Sequence, residues 1–450
     1  MAALAPLGCG HGRQRAPENL IAGPDAMRQA LREAVTAIGT RLDRPRAWVL
    51  ARRRVRVLVD VAVAEVVTEH VTVGVLSARD RDGRRHERCF DEVTPGRIAV
   101  LAAQLVASAP SGKRRGVAAA IPEAVDFGRA VEVDPAQLAH ADWLERARDV
   151  ARRGESAASS RIVYRAAWLT TDDDRVWSIG EDGDRQQRLV RSRVGATFVA
   201  WHGSTPQFGE VEIAGGFGPA VARLDDAAIA RAAGEALALF TPSPPPSGRQ
   251  VVLLDPGVVA ALADAHARSP RLDPLARPAV TIVDDPTADG YAHFWFDDEG
   301  VPAEAVPLFG AGAGPAMAGA IHARRTCPDW RLARLPTQLV IAAGSTSAAQ
   351  LESGIDDGLV IEGARDVQVD DRGVVVVRVA RGRQLAKGVR SGRQWGDLEV
   401  RGPAAELLSD ALGASVERQE VALPGGAVPQ SVTAPWLLTR AHVTRARSAG

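Results

Sequence analysis

The chain has 450 residues, which at roughly 100–200 residues per domain implies two or three domains. Hydrophobic residues make up 46% and charged residues 24%, the profile of a folded globular chain rather than a disordered or fibrous one. Lys+Arg and Asp+Glu are 55 each; the zero net charge argues against a broad nucleic-acid surface, and no apolar run reaches the roughly 18–20 residues of a membrane helix.

Met1 to Gly23 lacks an apolar core behind a basic start, so it reads as a ragged cytoplasmic N-terminus rather than a signal peptide. Cys9, Cys89 and Cys327 are odd in number and far apart, which implies free thiols in a reducing compartment. Lysine occurs only at Lys113 and Lys387, the other basic residues being arginine; with the Ala, Gly and Pro load this reads as coding bias.

Asp25 opens the first expected helix, with Met27, Ala30, Leu31, Ala34, Val35 and Ile38 at helical spacing and Gly39 as its stop. Val55, Val57, Val59, Val61 and Val63 alternate with other residues, and Val71, Val73 and Val75 resume the pattern: a strand pair with one buried face. Pro95 to Ser108 reads as a second helix, and Pro110 to Gly116 as a polar break. A charged helical stretch runs from about Asp134 to Arg153. Ile162–Leu169, Val176–Ile179 and Gln187–Trp201 read as short strands, with a hairpin turn at Asp182-Gly183. Asp225 caps a helix that puts Ile229, Ala232, Ala233, Ala236, Leu237 and Phe240 on one face.

Thr241 to Gly248 holds four prolines and is the expected boundary, a stiff extended linker between residues 1–240 and 241–450. Beyond it Val251–Leu254 is a strand, Asp255-Pro256 an N-cap with Pro at the first helical position, and Val258–His266 a short helix. Val280–Val283, Leu339–Ile341, Leu359–Ile361, Val374–Val379 and Leu437–Val443 are strand-like, and Ala404–Leu412 is helical. The predicted class is α+β: an N-terminal α/β sandwich-like domain followed by a mostly antiparallel, barrel-like β domain.

The most specific run is the strand Val280 to Asp284-Asp285-Pro286, followed by Phe296-Asp297-Asp298-Glu299-Gly300. Adjacent carboxylates repel, and unpaired ones are mostly exposed, so a solvated acidic loop is the plain expectation. Gly310 to Gly319 is Gly-rich but lacks the Lys-Ser/Thr of a phosphate-binding loop, and reads as a flexible loop. His266 reads as a histidine at a helix surface or interface, and Cys327 as an idle thiol.

The VTIVDDP and FDDEG runs resemble the signature of the TldD/PmbA family. Arg334-Leu-Pro-Thr-Gln338 is similar to that family's PTN segment, with Gln338 where Asn is usual, and Ala434-Pro435-Trp-Leu-Leu to its closing strand. The similarity runs from about residue 160 to the end. Catalytic members of the family carry HExxxH on a helix, two histidines binding zinc and the Glu activating water. At the matching positions this chain has Asp264, Ala265 and Ser269, and no cysteine follows Cys327, where such members have one near the C-terminus. Zinc chemistry needs three protein ligands and a base, so this chain is expected to hold no metal or catalytic residue.

The resemblance therefore implies a TldE/PmbA-like, non-catalytic subunit that pairs with a HExxxH-bearing, TldD-like subunit carrying the zinc. The pair would process peptides or modified small peptides in the cytoplasm, without nucleic acid or membrane. Asp284, Asp285, Phe296, Asp297, Asp298, Glu299 and Gly300 are the family-signature positions, expected to line the cleft or hold its structure. The alternatives are a divergent autonomous hydrolase of the same family and a homodimeric peptide-binding scaffold.

Overall fold

A computed structural model describes residues 24–108, 120–157, 159–219, 223–268, 280–310, 322–326, 329–370, 373–423 and 428–446. The expectations for Met1 to Gly23, Cys9, Pro110 to Gly116, Ser269, Cys327 and most of Gly310 to Gly319 lie outside these residues.

The first part is one seven-stranded sheet covered by four helices. In chain order these are α1 (Pro24–Gly39), β1 (Asp43–Asp60), β2 (Ala64–Arg79), β3 (Arg85–Phe90), α2 (Pro95–Ala107), β4 (Ala124–Phe127), α3 (His140–Ala157), β5 (Ile162–Gly180), β6 (Gly183–His202), β7 (Thr205–Gly216) and α4 (Asp226–Leu237). The strand order is β3-β2-β1-β5-β6-β4, with β7 also on β6. Every pairing is antiparallel except β4 with β6, so this part is α+β rather than a βαβ array.

Side chains alternate across a strand, and here the two faces have different chemistry. On β1 the odd residues Ala47, Val49, Val55, Val57 and Val59 are buried in the two clusters that include the helices' apolar residues. The even residues Trp48 and Leu50 belong instead to a cluster with Val73, Val75, Val176 and Phe296. One face is therefore an ordinary helix-on-sheet core, and the opposite face meets residues from the second part of the chain.

Several boundaries differ from the sequence reading. Asp25 lies inside α1, one residue past its start. The three short strands expected between 162 and 201 are two long ones, β5 and β6. Their turn is Glu181-Asp182, since Gly180 pairs with Gly183. The charged stretch is a short 3-10 turn at Pro135–Gln137 followed by α3. Thr94 caps α2 by accepting from the Arg97 N–H.

The second part contains β8 (Gly248–Leu254), α5 (Pro256–Ala267), β9 (Ile282–Asp284), β10 (Val306–Phe309), β11 (Ala323–Thr326), β12 (Arg331–Arg334), β13 (Gln338–Ile341), α6 (Ala348–Ser353), β14 (Asp357–Val369), β15 (Val374–Ala386), β16 (Val389–Pro403), α7 (Ala404–Ser409), β17 (Gly413–Ala422) and β18 (Ser431–Arg445). The long strands run β18-β16-β15-β14-β8, and β8 pairs again with β18, which closes the path into a ring. Thus the barrel-like expectation holds, and closure removes the edges of these strands. The segment joining the two sheets is not a free spacer. Thr241 N–H donates to the Gln394 carbonyl at 2.7 Å, and the Trp395 indole donates to Ser243 at 2.8 Å.

Helix α5 packs against β14, β15, β17, β18 and α7. Its sequence is apolar all round, and ten of its residues are buried, as expected for a helix enclosed by its own sheet. Asp255 fixes its start: Oδ1 accepts from Val258 N–H at 2.8 Å and Oδ2 from Gly363 N–H at 2.7 Å. No helix among the described residues is long and apolar enough to cross a membrane.

Burial pushes the Asp255 carboxyl up to about 6, helped by Glu362 and Glu235 and opposed by the two backbone N–H groups. From about pH 4 to 6 the folded chain then holds a proton that the unfolded chain releases. Stability from this group therefore falls as pH rises through that window. Relative to Asp255→Asn, the wild-type chain should gain on the order of 3 kcal/mol between pH 7 and pH 4. Chemical denaturation of both at several pH values measures this; a difference independent of pH would contradict it.

Candidate functional site

The face of the first sheet that lacks helices carries an ordered set of charges. Strand β1 has Arg52, Arg53 and Arg54 in sequence, and β5 has Asp172, Asp173 and Asp174. The register sets Arg52 opposite Asp174, Arg53 opposite Asp173 and Arg54 opposite Asp172. Because directly opposed residues share a face, the outer two pairs lie on the helix-free side and the middle pair on the other.

Arg52 grips Asp174 with two bonds of 2.6 and 2.8 Å, and Arg54 grips Asp172 with two of 2.6 and 2.9 Å. Both are the bidentate geometry that suits guanidinium and carboxylate. Burial pulls the Arg52 guanidinium down, but Asp174 and Asp172 outweigh it and hold it above its ordinary value. From β6, Arg191 reaches the same Asp174 at 2.9 Å and the His293 carbonyl at 3.0 Å. On the opposite face Asp173 is held by Arg188, which also binds Asp134.

The second part presents residues 284–300 to this face. Asp284 is buried, and its Oδ1 accepts from Thr337 N–H at 3.0 Å, Thr337 Oγ1 at 3.3 Å and Gln338 N–H at 2.9 Å. One carboxylate thus ties the VDD strand to the Pro-Thr-Gln segment. Asp285 makes a local turn, accepting from Thr287 N–H at 3.1 Å and Ala288 N–H at 3.3 Å. Phe296 is buried, stands edge-on to Phe127 at 5.8 Å, and its carbonyl accepts from Gln187 Nε2 at 2.9 Å.

The three consecutive acids have three different settings. Asp297 accepts from the backbone N–H of Glu299 and Val301 at 2.9 Å each, and from Ala323 at 3.0 Å. Burial pushes its carboxyl up, those N–H groups pull it down, and neighbouring Asp298 adds to the rise. Asp298 accepts from the Trp48 indole at 3.3 Å, Arg324 Nε at 3.3 Å and Arg325 N–H at 2.6 Å. Glu299 pairs with Arg85 at 2.8 Å and Arg334 at 3.1 Å. Gly300 has φ +74, and a Cβ there would collide with Arg46 and Ser178 of the first sheet. The positive φ favours glycine at this turn.

The expectation of a solvated acidic loop is therefore corrected. Asp297 and Asp298 are buried, and Phe296, Asp298, Glu299 and Gly300 all touch the first sheet. Sequence reading found these acids but missed the arginines and aspartates they face. The legible signal was the pair of triplets, Arg52–Arg54 and Asp172–Asp174, opposite in sign and each within a strand.

His293 was also missed. It sits buried between Phe217 (5.4 Å between ring centroids) and Trp295 (4.5 Å). Among the described residues neither ring nitrogen has a hydrogen-bond partner. Burial, and then Arg191, push its pKa below the ordinary histidine value.

Helix α5 carries Asp264 and Ala265, the residues that the sequence reading set against a zinc motif. Asp264 binds Arg268 at 2.7 Å, four residues on, and Ala265 is buried. His266 is not at a surface: it is buried edge-on against Phe309 at 4.8 Å, its Nε2 has no partner among the described residues, and burial lowers its pKa. Asp264 and His266 are two apart, about 200° round the helix, so they cannot converge on one ion. With alanine at the base position, the residues present do not fit a catalytic zinc. No group of three or more potential metal ligands occurs among the described residues.

Residues 272–445 match the PmbA/TldA metallopeptidase C-terminal domain. A metalloprotease of Methanothermobacter thermautotrophicus is 30% identical over 202 residues; the match spans 38% of this chain and 44% of that protein, less than half of either. TldE from Thermococcus kodakarensis has the same fold, with a TM-score of 0.68 over 93% of this chain and 100% of its own at 17% identity. A proposed modulator of DNA gyrase from Bacteroides thetaiotaomicron superposes at TM-score 0.70 over 93% of this chain and 98% of its own, at 13% identity. Another from Thermotoga maritima does so at 0.67, over 89% and 96%, at 17% identity.

Removing one carboxylate from a buried pair leaves its cation uncompensated. Asp174→Asn strands Arg52 and Arg191 together and should cost about 3–5 kcal/mol in urea denaturation. Asp226→Asn breaks the pair with Arg153 at a side chain 82% exposed, and should cost well under 1 kcal/mol. Similar losses in the two variants would mean that the buried charges do not hold the fold.

Proposed function

We propose, from the premise that this chain belongs to the TldD/PmbA family, that it is the non-catalytic, TldE/PmbA-like subunit of a two-subunit zinc metallopeptidase. The observation that carries the reading is the state of α5. Its aligned ligand position is Asp264, committed to Arg268, and its aligned base position is Ala265, which has no group to activate water. The position of Ser269 lies outside the described residues. The fold shared with TldE of T. kodakarensis supports the assignment to that side of the family.

In this reading the zinc, its ligands and the water-activating Glu belong to a HExxxH-bearing partner. That metal would polarise the scissile carbonyl and lower the pKa of its bound water. This chain's own part is structural: a rigid pair of sheets that shapes one wall of a shared cleft for an extended peptide. Main-chain pairing along a sheet edge is the simplest way to hold such a peptide. Both β3 and β10 end their sheets and are candidates for that edge.

Co-expression with a HExxxH-bearing relative tests this. The two chains should co-purify with about one zinc per pair, and a chelator should abolish cleavage of an unfolded peptide. The chain alone should bind less than a tenth of an equivalent and cleave nothing. Stoichiometric zinc and chelator-sensitive cleavage by the chain alone would overturn the proposal.

A further inference from the structure

Among the described residues, the Glu420 carboxylate of β17 has no cationic partner. The residue is half-buried, and its Oε1 accepts from the Tyr291 N–H at 2.5 Å. Burial pushes its carboxyl up, and the Tyr291 N–H and the Ser431 hydroxyl oppose the rise.

Two further oxygens gather at this carboxylate without a donor of their own. Gln338 of β13 is 1% exposed, and its Nε2 donates to the Ala288 carbonyl at 2.5 Å. Its Oε1 has no hydrogen-bond partner among the described residues. That Oε1 and Glu420 Oε1 each lie 2.8 Å from the point where a Cβ on Gly290 would sit, so the two acceptors converge on one spot. Turning the amide round does not relieve this, because Oε1 would then meet the Ala288 carbonyl, which can only accept. Ser431 of β18 is fully buried and stands opposite Gln338 in the parallel β13–β18 pairing. Across β17–β18 it is paired with Ala422, which makes it the diagonal, same-face neighbour of Glu420. Its Oγ faces the carboxylate but completes no hydrogen bond among the described residues.

Acceptors that face one another repel unless positive charge lies between them, and a buried acceptor without a partner is costly. A donor set made only of oxygens suits a hard cation. One carboxylate among neutral oxygens balances a single positive charge, whereas a divalent ion would leave half of its charge uncompensated. The half-exposed Glu420 side chain leaves a path for the ion and for waters that complete its shell.

We propose that Glu420, Gln338 and Ser431 form a binding site for one monovalent alkali cation, sodium or potassium. The ion fastens residues 288–291 to the barrel where they press on the end of β7, since a Cβ on Gly216 would collide with the Gly290 carbonyl. The proposal stands apart from the peptidase reading, because it rests on the oxygens of this chain alone.

The test is thermal melting of the full-length chain in sodium chloride, potassium chloride, calcium chloride and tetramethylammonium chloride at matched ionic strength, with sodium-23 NMR line width as the direct readout of bound sodium. A saturable rise in Tm with sodium or potassium, absent with tetramethylammonium, is expected, together with a broadened sodium line that potassium sharpens by competition. A larger effect of sodium assigns the site to the smaller ion, and a larger effect of potassium to the larger; either supports the site. Glu420→Gln should weaken the alkali response about tenfold or more while keeping the wild-type circular dichroism, as expected for loss of a charged contact. Ser431→Ala should weaken it by a smaller factor. Equal Tm in the alkali and tetramethylammonium salts, a response to calcium alone, or full affinity in folded Glu420→Gln would overturn the proposal. So would a Tm that rises as pH falls with no alkali response, since a proton on Glu420 would then bridge the oxygens instead. If Glu420→Gln does not fold, Ser431→Ala and the wild-type comparison of salts decide.

Discussion

Everything in this structure depends on burying charge where two sheets meet. The first sheet covers one face with four helices in the ordinary way and leaves the other lined with arginine and aspartate. Moving such groups out of water costs several kcal/mol each unless each finds a partner of matching geometry. The cross-strand register of β1 and β5 supplies most of those partners. The acidic turn of residues 297–300 adds the pair of Glu299 with Arg85 and satisfies Asp297 with backbone N–H groups.

That constraint decides how the signature acids should be read. Three adjacent carboxylates, in a stretch that matches a metallopeptidase C-terminal domain, invite a catalytic interpretation. Their surroundings point elsewhere. Asp297 folds its own loop, Asp298 joins the Trp48 indole to the Arg324–Arg325 strand, and Glu299 bridges Arg85 of the first sheet and Arg334 of the second part. Gly300 lets the turn press against Arg46 and Ser178. These residues are a joint, and the joint sets the relative position of a sheet and a curled barrel. A second set of charges crosses the same boundary elsewhere, where Arg381 of β15 pairs with Glu235 of α4 at 2.9 Å.

The sequence showed the elements well wherever local physics was decisive. Helix caps at Asp225 and Asp255, the apolar spacing of α1 and α2, and the alternation in β1 all have causes within a few residues. The long β5 and β6 were read as fragments because polar runs such as Asp172–Asp174 look like turns until a partner strand neutralises them. His266 was misplaced for a related reason: a histidine is read as exposed unless something shows that its helix is enclosed, and closure of the ring through β8 and β18 is not local information. The signature acids were found through their spacing, but their chemistry was set by Trp48, Arg324 and Arg85, which are far away in sequence.

The central claim is that the buried charges couple the two sheets into one cooperative structure. Differential scanning calorimetry of the whole chain measures that coupling most directly. The account predicts a single unfolding transition whose calorimetric and van't Hoff enthalpies agree. Two separated transitions, one for each sheet, would contradict it.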